Sequence, residues 1–167
     1  MNKFVLFLAV LTIMSCTKSG TNNGATDFFT PVPVNITNIN LSYPQYSYLS
    51  IQGGFYYFPL PAGNRGIILY HATTGTSTGV DYVAFDRTCP VNPTSTCSMV
   101  SMDSSGFYLI CSQSHVNLLG TAPCSGTGAC NSTFDPNLGT QRSGSATRGL
   151  KQYNVRVDGN GVLSITN

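Results

Sequence analysis

The chain has 167 residues, a formal net charge of +2 and only 8% charged side chains. So weak a field does not steer nucleic acid, which argues against a nucleic-acid partner. There is no glutamate and the six acidic residues are scattered aspartates, which argues against paired-carboxylate chemistry; the length suits one domain plus a linker.

At the N-terminus, Lys3 precedes an apolar run of eleven residues, Phe4 to Met14. The run is too short to span a bilayer and has the size of a signal-peptide core. It stops at "IMSC", residues 13–16, a branched apolar, a variable and a small residue followed by cysteine. This resembles a bacterial lipobox. The resemblance implies removal of residues 1–15 as a signal peptide and lipidation of Cys16, whose acyl chains would hold the chain at a membrane without a spanning helix. Residues 16–33 then read as the lipidated cysteine and a flexible linker, because "TKSGTNNGATD" is polar and rich in Gly, Asn and Thr. No acidic run of the kind expected for surface export follows Cys16. The expected place is therefore the outer membrane, with the domain facing the periplasm.

Residues 34–167 form the expected domain. No long 3.6-residue apolar period occurs. Short runs rich in β-branched and aromatic residues recur instead: "VNITNINLSY" (34–43), "YSYLSI" (46–51), "GFYYFPL" (54–60), "GIILY" (66–70), "VDYVAFD" (80–86) and "GFYLIC" (106–111). The continuous apolar "GIILY" has the pattern of a buried strand. Near the C-terminus Tyr153, Val155 and Val157 fall on one strand face, "DGNG" makes a turn, and Leu163 and Ile165 return on a second strand. Most of the 17 glycines and 9 prolines punctuate these runs. The pattern predicts an all-β fold of about seven to nine short antiparallel strands in a sandwich or small barrel. A loop-rich, cysteine-containing subdomain is expected at about 87–148, because the small-residue stretch between Cys111 and Gly144 is too long for an ordinary loop.

Beyond Cys16 there are five cysteines, Cys89, Cys97, Cys111, Cys124 and Cys130. An exported chain meets an oxidising compartment, so all five are candidate disulfide cysteines, and an odd number leaves at least one unpaired within the chain. A serine hydrolase is disfavoured: Ser114 and His115 are adjacent, but no G-x-S-x-G frame occurs.

Two boxes carry the most information. "YVAFDRTCPVNPTSTC" (82–97) runs from a strand into a loop holding Cys89 and Cys97. "FYLICSQSH" (107–115) runs from a strand into a loop holding Cys111 and His115, followed by "STFD" (132–135) and "GSATRGLKQYNV" (144–155). In this order they resemble the Rieske iron–sulfur domain, and most closely the divergent Rieske-like lipoproteins of Bacteroidetes. The family pattern has Cys-x-His in one loop and Cys-x-x-His in the other, then a Gly-Ser-x-Phe-Asp segment. The resemblance implies a Rieske-like antiparallel fold with thiolate positions at Cys89 and Cys111. The imidazole positions depart from the pattern. Val91 stands where the first histidine belongs, His115 is one residue late, and Cys130 competes with it for the second.

The expected function is accordingly a membrane-anchored envelope lipoprotein whose Rieske-like domain has lost its cluster. It would carry no cofactor, its loops would be held by disulfides, and it would act as a structural or interaction module toward an envelope protein rather than as an enzyme. The first alternative is a [2Fe–2S] electron-transfer lipoprotein using Cys89, Cys111, His115 and either Cys130 or a further ligand. The second is a thiol or zinc protein using Cys89, Cys97, Cys111 and Cys130.

Overall fold

The computed structural model describes residues 29–30, 32–76, 80–94, 99–112 and 131–167. The fold is all-β, as expected. Ten strands occur among the described residues: β1 Asn35–Asn40, β2 Phe55–Phe58, β3 Ile67–His71, β4 Tyr82–Asp86, β5 Met99–Met102, β6 Leu109–Ser112, β7 Thr133–Phe134, β8 Gln141–Ser143, β9 Gln152–Val157 and β10 Val162–Thr166. They form a six-stranded sheet in the order β1-β10-β9-β4-β3-β2 and a four-stranded sheet in the order β5-β6-β7-β8. Every pairing between them is antiparallel. No helix among the described residues is long and apolar enough to cross a membrane.

The continuous apolar run of β3 is explained by burial on both faces. Ile67, Ile68, Leu69 and Tyr70 are all buried, but alternate residues enter different cores. Ile67 and Leu69 join Ala84 of β4, Tyr153 and Val155 of β9, Leu163 and Ile165 of β10, and Ile39 of β1. Ile68 and Tyr70 join Val83 and Phe85 of β4 on the opposite face, where Val100, Leu109, Cys111 and Phe134 of the small sheet cover them. A strand with two buried faces has no use for polar alternation. Each such side chain contributes about 1.5–3 kcal/mol relative to exposure.

β1 reaches the first core through an irregularity. Ile36 and Ile39 are three residues apart, so a regular strand would send them to opposite faces. The register shifts between them, and Asn38 takes φ 62°, a left-handed conformation that asparagine tolerates better than most residues. Both isoleucines then pack on the same core.

The structure corrects the sequence reading in two places. "YSYLSI" (46–51) is not a strand: Pro44–Ser50 is a 3-10 helix with Pro44 in its first turn. Proline there has the required φ and loses no hydrogen bond. Three residues per turn put Tyr46 and Leu49 on one side, and both pack on the first core while Tyr48 stays exposed. Val157 shares the strand face of Tyr153 and Val155, as expected, and pairs with Leu163, but it lies at the end of that face and is 44% exposed beside the closing turn. The strand count exceeds nine because β5, β7 and β8 are only four, two and three residues long, too short for any periodic signal.

Candidate functional site

The sequence singled out the two cysteine loops, and the structure brings them together. Cys89 lies three residues beyond β4, and Cys111 lies within β6. Their sulfurs form a disulfide, with Cα atoms 5.7 Å apart. Both residues are fully buried. They share the second core with Phe85, Val100, Leu109, Phe134, Ala146 and Leu150, so the cystine ties the six-stranded sheet to the small sheet inside an apolar seam.

The approach to Cys89 is held by hydrogen bonds that explain the "DRTC" sequence. The fully buried Asp86 accepts bonds from the backbone N–H groups of Asn64 (2.7 Å) and Thr88 (2.8 Å), from the Thr88 hydroxyl (2.5 Å) and from the Tyr153 hydroxyl (2.7 Å). Four donors around one carboxylate satisfy it without an ion pair, which is what burial of a charge requires. Arg87 crosses to the small sheet. Its backbone carbonyl accepts from Val100 N–H at 2.7 Å, and its Nε donates to the Val100 carbonyl at 2.9 Å. Its guanidinium lies 4.1 Å from the centre of the Tyr57 ring, a cation–π contact. Burial pulls the Arg87 guanidinium below its ordinary value, and the nearby Tyr57 and Asp86 work against that shift. Burial likewise pushes the Tyr57 hydroxyl up, although the bond it accepts from Met102 N–H (2.8 Å) opposes the change.

The Cys111 side is held from the next segment. Cys111 N–H donates to the Ser132 carbonyl at 3.0 Å, and the buried Ser132 hydroxyl accepts from Ala146 N–H at 2.8 Å. Gly144 passes so close that a Cβ there would lie 2.5 Å from the Ser132 Cα, and its φ is +92°. Only glycine fits that crossing. The "STFD" and "GSATRGL" segments therefore lie against the cystine in space as well as following it in sequence. Asp135 ends the first of them. Burial raises its pKa, but the Arg142 guanidinium and the Asn137 N–H outweigh that and hold the carboxyl below its ordinary value.

These residues do not fit a [2Fe–2S] cluster. Such a cluster needs two separate thiolates on one iron, and here the two candidate sulfurs are bonded to each other. The same bond removes Cys89 and Cys111 from the four-thiolate zinc set. Val91 offers no donor atom and is 39% exposed. Among the described residues no group of three or more His, Cys, Asp or Glu side chains could hold a metal ion. Cys16, Cys97, His115, Cys124 and Cys130 lie outside the described residues. His71, the other histidine, is occupied elsewhere: its Nδ1 is 2.8 Å from the Leu49 carbonyl and its ring stacks on Tyr82. Sequence reasoning missed Asp86 and Arg87 as the residues that position Cys89. Their only signal was two charged side chains directly after the apolar "YVAF".

No protein-family model matches the chain, and no curated protein matches it. Among solved structures, the chain is similar to one described as an NADH-dependent nitrite reductase small subunit from Mycobacterium tuberculosis. The two share 16% identity with a TM-score of 0.39, over 81% of this chain and 96% of that one.

Proposed function

We propose that the chain is a lipid-tethered envelope protein with a Rieske-like domain in which a disulfide holds the two cysteine loops in place of a metal cluster. It acts as a structural or interaction module and carries out no electron transfer. The observation that carries this reading is the buried Cys89–Cys111 bond, made between the two cysteines that the family pattern would use as iron ligands. The order of features supports the Rieske-like frame: a strand into Cys89, a strand containing Cys111, then "STFD" and "GSATRGL" packed against both. The tether rests on the apolar run before Cys16.

The deciding measurement is iron and acid-labile sulfide content on anaerobically prepared protein, combined with alkylation and intact mass. The expected result is no stoichiometric iron, with Cys89 and Cys111 alkylated only after reduction in denaturant. Two irons and two sulfides per chain with a Rieske-type EPR signal would establish an electron carrier and overturn the reading. For the tether, Cys16→Ala is expected to move the protein from the membrane to the soluble fraction.

A further inference from the structure

A cleft of about 690 Å³ opens on the surface between the end of β3, the β5–β6 hairpin tip and the Asp135–Arg142 turn. Its size lies in the range of roughly 300–1,000 Å³ usual for ligand sites. Its lining includes two aromatic residues that neither core uses: Phe107 is 73% exposed and Tyr108 is 47% exposed. They are not on a slack loop. The Asp103 carboxylate accepts from Tyr108 N–H (3.1 Å) and from the Ser105 hydroxyl (2.6 Å), and that hydroxyl accepts from Phe107 N–H (3.2 Å). Asp103 N–H also donates to the Tyr108 carbonyl (2.9 Å). The tip is thus fixed before anything binds, which lowers the entropy cost of using it.

The polar part of the lining is equally fixed. Asn137 Oδ1 accepts from Thr73 N–H at 2.8 Å and faces the Thr73 hydroxyl at 3.3 Å. That identifies its oxygen, and its Nδ2 amide turns to the Asp135 carboxylate. Arg142 spends one terminal nitrogen on Asp135, and its remaining N–H groups have no partner among the described residues. The Gln52 amide completes this part of the lining. Asp135 and Arg142 cancel, so the lining has no net charge. A phosphate or carboxylate would find no excess positive charge, and a cation no excess negative charge. An acyl chain would meet the Gln52 amide and the Arg142 guanidinium, which are costly to bury against hydrocarbon.

Exposed aromatic side chains in one cleft with planar amide and guanidinium donors, and no net charge, suit a ring that has an apolar C–H face and a rim of hydroxyls. We infer that this cleft binds a neutral saccharide, stacked on Phe107 and Tyr108 and hydrogen-bonded by Arg142 and Gln52. The inference does not depend on whether the cysteine loops hold metal.

Affinity electrophoresis of the full, detergent-solubilised chain tests it, in native gels containing starch, xylan, dextran or galactomannan, with heparin as the charged control. The expected result is retardation by at least one neutral glycan. The dissociation constant should rise roughly tenfold or more in Phe107→Ala and Tyr108→Ala, a loss of about 1.4 kcal/mol. Tyr43→Ala, an exposed ring outside the cleft, should bind as the parent does. Unchanged migration in all four neutral glycans overturns the inference, as does retardation by heparin alone, or retardation that survives both cleft substitutions.

Discussion

Removing the Cys89–Cys111 bond is the sharpest test of what holds the two sheets together. The bond closes a loop with a sequence separation of 22. Chain-entropy arguments give about 3.4 kcal/mol at 25 °C for a loop of that length, through the unfolded state. Cys89→Ala with Cys111→Ala also removes two fully buried sulfurs, each about a methylene in size and contributing about 0.8 kcal/mol. The combined loss is about 5 kcal/mol, comparable with the low end of the roughly 5–15 kcal/mol available to a whole domain. Cys89→Ala with Cys111→Val refills part of the space and should lose about 4 kcal/mol, isolating the cross-link. Guanidinium unfolding followed by tyrosine fluorescence measures both against the parent. With a slope of about 4 kcal/mol/M, the Ala/Val variant should unfold about 1 M earlier. A midpoint shift below about 0.3 M would mean that the two sheets are held without the cystine. Full burial adds a kinetic expectation: in the native state the bond should resist a soluble reductant and yield only once denaturant opens the seam.

The Tyr153 hydroxyl is one of four donors to the buried Asp86 carboxylate. Tyr153→Phe should therefore cost about 1–3 kcal/mol in chemical denaturation, and Asp86→Ala, which strands the other donors too, should cost more. Gly139 has φ +67°, and a Cβ on it would lie 2.5 Å from Phe85 Cε1. Gly139→Ala should lose more than about 2 kcal/mol, whereas Gly159→Ala, facing open space, should change stability by less than about 0.5 kcal/mol; equal effects would discount the packing at Phe85. Asp135 is held below its ordinary pKa in the fold, so the unfolded chain takes up its proton at higher pH than the native one. Its contribution is complete above the unfolded value and is lost as pH falls through the folded value. Thermal melts should show an acid limb that becomes shallower in Arg142→Met, and an unchanged limb would remove the Asp135–Arg142 pair as its cause.

Much of the strand set was legible because burial on a sheet leaves a period in the sequence. β3 and β4 carry the apolar runs Ile67–Tyr70 and Tyr82–Phe85 because both faces are covered, and β9 and β10 alternate through Tyr153, Val155, Leu163 and Ile165 because one face is. The pattern failed where length or chemistry removed the period. The 3-10 helix at Pro44–Ser50 uses tyrosines that suit strands equally well, and β7 has only two residues. The sequence also indicated that the two loops matter and that their histidine pattern is broken, since Val91 is a fact of composition. Five cysteines could not say which pair joins, because pairing depends on which sulfurs the folded backbone brings into reach. Only the tertiary structure decided that Cys89 meets Cys111, when the small sheet closes over the outer face of β3 and β4 and shuts both sulfurs into an apolar seam. Chain order by itself determined the all-β architecture and the candidate loops; the packing of one sheet on another decided that those loops meet in a covalent bond.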